Sequence, residues 1–286
     1  MWTTSAIVIC SIMVLESALI TIGNIFTIYV FSTHRKRLKR TSFLLINLAV
    51  ADLLVGLTES SGVATKTIPR HFTEDLIKLK TTHNNLSTII PILFSCTSLF
   101  CLVHISLERA YAVIWPLRHR VVSTKTYLCS IAFVWAAGIS VGTLLFLNSI
   151  EVLSYTSAMV PVCVMIFSSL IIICVSYLSI RTRLQSRVPA IHQNRQNDEE
   201  QNMKLSRTLF IVIGASVVCW LPGSLLYFIY VFCECMFPIP LLYSGTLFNI
   251  ASSIVNPVIY SFRMPIFKES LKRLKPIRAS RKYSVN

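Results

Sequence analysis

TSFLLINLAVADLLVGLTESSGVATK, residues 41–66, is the stretch on which the fold turns. Its apolar length matches the roughly 20 helical residues that cross about 30 Å of hydrocarbon, yet Asp52 sits in the middle of it. A carboxylate facing lipid is costly, so Asp52 must face protein or water, and one such span requires neighbouring spans to receive it. Glu59 follows seven residues later and returns to the same face about 10.5 Å further along the axis. Two acids therefore line one stripe of this helix, with Asp52 the stronger functional candidate. The plainer reading satisfies both with Ser, Thr or water inside a bundle.

Outward from this stretch, the 286-residue chain is 54% hydrophobic and only 14% charged, with a mean hydropathy of +0.66. A single soluble core cannot hide that much apolar surface from water. Seven runs are long and apolar enough to span a bilayer: 5–32, 41–66, 85–113, 125–147, 155–182, 203–233 and 239–262. The expected fold is an all-α membrane protein, a bundle of seven transmembrane helices. No internal repeat shows, and an odd helix number offers no simple inverted duplication of the transporter kind.

The net charge of +15 would, in a soluble protein, point to nucleic acid. Here the basic residues sit beside the apolar runs instead. Short cytoplasmic loops collect Lys and Arg, and with the N-terminus outside, only Lys66, Arg70, Lys78 and Lys80 of the 27 basic residues fall on the outer side. That sets the N-terminus out and the C-terminus in, and leaves membrane lipids rather than nucleic acid as the anionic partner. The first run is too long for a signal-peptide core and is followed, not preceded, by a basic cluster, so it reads as a retained signal anchor. Residues 185–202, with Asp198, Glu199 and Glu200 in a row, read as a flexible inner loop. After Pro265, the apolar Ile266, Phe267, Leu271 and Leu274 interleave with Lys268, Lys272, Arg273 and Lys275. This pattern predicts a short basic amphipathic eighth helix on the inner leaflet. The chain thus divides into a seven-span domain, 1–262, and a cytoplasmic helix with a short basic tail, 263–286.

Of nine cysteines, Cys10, Cys96, Cys101, Cys129, Cys163, Cys174 and Cys219 fall inside apolar runs, where cysteine packs as a small hydrophobe. Cys233 and Cys235 are two apart, a spacing that disfavours a relaxed bridge. Asn85-Leu86-Ser87 is a glycosylation sequon on the outer side, close to the membrane. Ser98 and Arg109, eleven apart, share a face of the third run, and Glu108-Arg109 makes an ion pair at its cytoplasmic mouth. An arginine at a helix end is ordinarily a snorkelling anchor. Pro222 and Pro257 remove backbone donors and kink the sixth and seventh runs, giving pivots about which their inner halves can swing.

Helix by helix, several motifs combine: Gly23-Asn24, Leu48-Ala49-Val50-Ala51-Asp52, Glu108-Arg109, Trp135, Tyr177, Cys219-Trp220-Leu221-Pro222 and Asn256-Pro257-Val258-Ile259-Tyr260. Followed by Phe262 and the basic helix, they resemble the rhodopsin-like (class A) G-protein-coupled receptors, in the same order and across nearly the whole chain. The resemblance implies a multi-pass plasma-membrane receptor and transducer, not an enzyme. It would bind an extracellular or lipid-borne ligand in the outer half of the bundle and activate heterotrimeric G proteins by outward movement of the sixth helix. The likeness assigns Asp52, Ser98, Ser253 and Asn256, with Asn24, to a mid-membrane sodium site, sodium being an allosteric modulator and no other cofactor being expected. It assigns Glu108, Arg109, Leu117, Tyr177, Pro222, Asn256, Pro257 and Tyr260 to the activation switch and G-protein contact. Helical phase and resemblance together nominate Glu59, Pro91, Phe94, Ser95, Trp220, Phe248 and Asn249 as pocket lining for a small-molecule, lipid or peptide ligand. Ser280 and Ser284 are the tail's candidates for phosphorylation and arrestin recruitment.

The chain also departs from the family pattern. Residues 77–90 and 148–157 hold no cysteine, so the usual outer disulfide cannot form; Ser169 stands where the fifth helix usually has proline, and Pro161 is present instead. These features resemble the melanocortin-like branch, with adenosine and cannabinoid receptors as broader kin. Pro91 stands where amine receptors place their ligand-pairing aspartate, which disfavours a monoamine, and the absence of lysine from 239–262 excludes a retinal Schiff base. Ala110 replaces the usual tyrosine, and 203–213 offers Arg109 no acid, so a weaker inactive-state restraint and raised ligand-independent signalling are expected. Two other classes stay in view: a channel or transporter using Asp52 and Glu59 as an ion path, and a receptor-like scaffold that does not signal. An intramembrane enzyme is disfavoured, since the spans hold no Gly-x-Ser-x-Gly elbow, His-Glu-x-x-His pair or paired aspartates.

Overall fold

The computed structural model describes residues 4–34, 41–67, 74–185, 196–233 and 239–274. Eight helices carry the architecture: α1 (Thr4–Thr33), α2 (Thr41–Thr67), α3 (Glu74–Ile114), α4 (Thr124–Ser149), α5 (Tyr155–Gln185), α6 (Gln196–Cys233), α7 (Ile239–Arg263) and α8 (Pro265–Leu274). A six-residue helix, Pro116–Val121, joins α3 to α4; proline at its first position gives up an N–H that no helix start can pair. The Ser123 hydroxyl then caps α4 by accepting from the Thr126 N–H at 3.2 Å.

α1 shows why the bundle belongs in lipid. Met13, Ser17, Ile20, Asn24, Thr27 and Phe31 are buried at steps of three and four, while Ile12, Leu15, Leu19, Ile22, Ile25 and Tyr29 are exposed at the same period. The buried stripe carries the polar residues and the exposed stripe is apolar, the reverse of a helix facing water. Five described segments, in α1, α3, α4, α5 and α6, are by length and composition sufficient to cross a membrane. The remaining long helices, α2 and α7, carry the acids, serines and asparagines that the bundle buries. α2 packs between α1 and α3, and α7 between α1 and α6, so their polar faces meet protein. α3 runs through the middle and touches α2, α4, α5, α6 and α7.

Close approach of α3 and α4 depends on Gly138, where an added Cβ would fall 1.9 Å from Thr97 Oγ1. Where α7 runs into α8, Phe267 is fully buried, with its ring 5.7 Å from Phe26, 5.2 Å from Phe31 and 5.6 Å from Tyr260, centroid to centroid. This aromatic cluster ties α8 to α1 and α7.

Element ends differ from the expectation in two places. α3 begins at Glu74 rather than 85, so Asn85-Leu86-Ser87 lies inside a helix with Ser87 buried, and the Asn85 side chain lies outside the described residues. α6 begins at Gln196, which makes helix of part of the segment expected as a flexible loop. Ser280, Ser284 and Cys235 lie outside the described residues.

Candidate functional site

Asp52 lies in the middle of α2 with no exposed surface. Its Oδ1 accepts from Ser98 Oγ at 2.5 Å and Ser253 Oγ at 2.7 Å, and its Oδ2 accepts from Asn256 Nδ2 at 2.6 Å. Asn24 Nδ2 donates to the Ser253 carbonyl at 3.2 Å, so α1, α2, α3 and α7 meet at one carboxylate. Charge-assisted bonds of this kind are roughly twice as strong as neutral ones, and here they stand in for the water that the charge has lost. The side-chain oxygens of Asn24 and Asn256 are buried beside this cluster with no hydrogen-bond partner among the described residues. A carboxylate, two hydroxyls and two free amide oxygens are a donor set of hard oxygens, the chemistry that suits a small hard cation. A cation held there would take up oxygens that the three donors to Asp52 now engage.

At the C-terminal end of α3, Arg109 is 5% exposed and Glu108 8%. The guanidinium grips the neighbouring carboxylate with two bonds, one of them from Nη2 to Oε1 at 2.6 Å. Glu108 Oε1 also receives His119 Nε2 at 2.9 Å and the Tyr127 hydroxyl at 3.2 Å. Leu117 is 76% exposed on the short helix beside them. Tyr177 of α5 sets its ring edge-on to Phe210 of α6 at 5.2 Å, and Tyr260 of α7 is buried with its hydroxyl unpartnered.

In the half of the bundle away from Arg109, Glu59, Pro91, Ser95 and Trp220 are buried, and Phe94 lies half-buried, edge-on to Trp135 at 6.3 Å. The Trp220 indole N–H is buried without a partner. Glu16 of α1 has a buried carboxylate oxygen without a hydrogen-bond partner among the described residues, and the charge of Glu59 acts on it. Pro222 immediately precedes Gly223, where α6 meets α7, and the Asn249 side chain lies against Gly223. Phe248 does not join this group. It is 52% exposed, because it precedes Ser253 by five residues and so points about 140° away from it around α7, and about 80° from Asn256 and 120° from Tyr260.

The sequence reading passed over Asn47, which joins three helices. Its Oδ1 accepts from Trp135 Nε1 at 2.9 Å, and its Nδ2 lies 3.0 Å from Cys101 Sγ. An amide inside an apolar span was the available signal, by the cost argument used for Asp52. Trp135→Phe is expected to lower stability by ~1 kcal/mol, the usual worth of such a bond, measured by thermal unfolding in nanodiscs. His119 and Tyr127 were also missed, since they reach Glu108 from a loop helix and from the next span.

Residues 23–260 match the family described as 7 transmembrane receptor (rhodopsin family). Trace amine-associated receptor 2 of Homo sapiens is 25% identical over 87% of this chain and 76% of its own length. Somatostatin receptor type 5 of Rattus norvegicus is 26% identical over 90% of the chain and 74% of its own length. Adenosine receptor A3 of Ovis aries is 23% identical over 94% and 89%.

Proposed function

The chain belongs to the rhodopsin family of seven-transmembrane receptors, and from that premise we propose that it binds a ligand in the outer half of its bundle and activates a heterotrimeric G protein at its inner face. The observation that carries this reading is Arg109, a buried arginine at the inner mouth of α3 whose charge is neutralised by Glu108. A buried ion pair costs several kcal/mol of desolvation, so a site that retains one is better suited to opening than to simple cohesion. Outward swing of the inner half of α6 about Pro222, with adjustment of α7 at Pro257, would uncover Arg109, Tyr177 and Tyr260, while Leu117 offers the G protein an apolar contact.

The N-terminus and pocket face outward, the tail faces the cytoplasm, and α8 lies on the inner leaflet of the plasma membrane. Asp52, Ser98, Ser253 and Asn256, with Asn24, would hold a sodium ion, which when bound supplies a positive charge beside Asp52. The serines of the tail are the sites for arrestin.

The ligand we infer carries a cationic group that is not a monoamine of the usual kind. Glu59, with Glu16 near it, supplies the negative charge in the outer half, and Pro91 occupies the place of the aspartate that amine receptors use. Glu59→Gln is expected to weaken a basic agonist by ~1–3 kcal/mol, the cost of leaving a buried charge unpaired. Unchanged potency in a dose–response series would remove Glu59 from the pocket.

The whole reading is tested by screening a library of peptides, lipids and small cations on cells that express the chain with a promiscuous G protein. It is expected to yield an agonist whose response is lost in Arg109→Ala at matched surface expression. If the panel is exhausted and purified chain in nanodiscs accelerates nucleotide exchange on no heterotrimer, the reading fails.

A further inference from the structure

We propose that Tyr155, Tyr227 and Tyr230 rim a subsite that takes an alkylated ammonium group, with Glu151 drawing the cation to it. The inference deepens the reading of the ligand as cationic, on which it rests. It concerns the end of the bundle away from Arg109, where α4 ends, α5 begins and α6 ends. Helical phase places the rings. Leu221, Leu225, Phe228 and Phe232 are exposed at steps of three and four and form the lipid-facing stripe of α6. Tyr227 and Tyr230 lie off that stripe. Each stands two turns, about 10.5 Å, beyond a buried residue of the inward face, Trp220 and Gly223 respectively. They are nonetheless 38% and 36% exposed, so the bundle opens where they stand. Tyr155, 40% exposed, has the same relation to α5: it precedes Ala158 and Val162, both buried, by three and seven residues. Tyrosines of an interfacial belt face lipid and headgroups, whereas these three share the stripes that face protein.

Tyr155 and Tyr230 set their rings at 88° with centroids 6.1 Å apart, and Tyr227 lies within electrostatic reach of Tyr155. Perpendicular rings make two walls of a corner, and an aromatic face is the negative part of its quadrupole. Such walls attract a cation at short range, and methyl groups on the nitrogen add apolar contact, which is how aromatic cages select alkylated ammonium. Glu151 acts at longer range. The Val152 N–H bonds to the Leu147 carbonyl at 2.9 Å and the Glu151 N–H to the Asn148 carbonyl at 3.1 Å, the two bonds of a Schellman turn that ends α4. Glu151 has φ 61° there, a left-handed conformation that glycine adopts without strain. Its charge also sits at the negative end of the α4 dipole, which repels it. No basic residue in 148–156 offsets either penalty. The carboxylate and the helix end together give this mouth a negative potential that steers a cation toward Tyr155, four residues on.

The test is binding of choline, and of its uncharged isostere dimethylbutanol, to the purified full-length chain in nanodiscs of lipids without choline headgroups. Saturation-transfer NMR on the methyl protons reads both, with empty nanodiscs subtracted and thermal unfolding confirming that each variant is folded. Choline is expected to bind about tenfold more tightly than the alcohol, the margin that cation–π attraction supplies. Tyr155→Leu and Tyr230→Leu are expected to lose that margin, and Tyr155→Phe and Tyr230→Phe, which keep the rings, to retain it. Glu151→Gln is expected to weaken choline about threefold at low salt and not at high salt. Equal binding of choline and the alcohol to wild type, no binding of either, or an unchanged margin in both leucine variants would each overturn the subsite. If Glu59→Gln abolishes choline binding while the leucine variants match wild type, the cation sits at Glu59: the subsite is overturned and the cationic reading of the pocket stands. Because the readout needs neither agonist nor G protein, failure of the Glu59 pocket in dose–response leaves this result to be judged on its own.

Discussion

Asp52→Ala is expected to lower the stability of the nanodisc-held chain by about 3 kcal/mol or more, with a smaller loss, near ~1 kcal/mol, for Asp52→Asn. The difference follows from what each variant leaves behind. Alanine removes the acceptor for Ser98, Ser253 and Asn256 together, and stranded buried donors cost ~1–3 kcal/mol each when nothing replaces their partner. Asparagine keeps an oxygen for the two serines. Its new N–H faces Asn256, whose own side-chain oxygen is buried without a partner and can turn to accept. Thermal unfolding followed by tryptophan fluorescence measures both. Equal losses would mean that the charge of Asp52, not its accepting geometry, holds the cluster, and an unaffected alanine variant would mean that α2, α3 and α7 are joined by apolar packing alone. Because the cluster links the pivot at Pro257 to α2 and α3, the alanine variant is also expected to blunt any agonist response.

Asp52 was legible because a polar group in hydrocarbon must find a partner, whereas Ser98, Ser253 and Asn256 were joined to it by the family likeness; the 3.6-residue period tells only which residues of one helix share a face. That logic is local to one helix. It could have excluded Phe248, whose phase opposes that of Ser253, and it could have flagged Asn47 as readily as Asp52. It does not reach His119, because the path from Glu108 to His119 passes through a change of helix at Trp115 and Pro116, and no periodicity carries across such a turn. Nor does it reach Tyr127, whose approach depends on how α4 sits against α3, a matter of interhelical packing. Helix ends were legible only where composition changes sharply. α3 begins within the polar segment 74–84 and α6 within 196–202, since hydropathy marks where an apolar run begins and not where the backbone becomes helical.

The same contrast between phase and packing makes Gly223→Ala the second large effect to be expected. An added Cβ there would lie 2.5 Å from the Gly245 carbonyl oxygen and 2.5 and 2.7 Å from the two side-chain heteroatoms of Asn249. A rotamer change can move Asn249, but the Gly245 carbonyl belongs to the backbone of α7, so the two helices must separate. Such overpacking costs ~1–3 kcal/mol, and loss of the Asn249 position adds to it. Gly245→Ala is the control within the same contact: its Cβ would meet Gly223 Cα at 3.1 Å and a movable Leu226 methyl at 3.2 Å, a milder conflict. Thermal unfolding is expected to rank wild type above Gly245→Ala and Gly245→Ala above Gly223→Ala. If α6 pivots at Pro222 as proposed, forcing α6 and α7 apart at Gly223 would drive the opposite half of α6 toward α3. Gly223→Ala therefore should lower agonist-driven nucleotide exchange more than its loss of folded protein explains. Exchange per folded receptor equal to wild type would show that α6 does not pivot as a lever at Pro222.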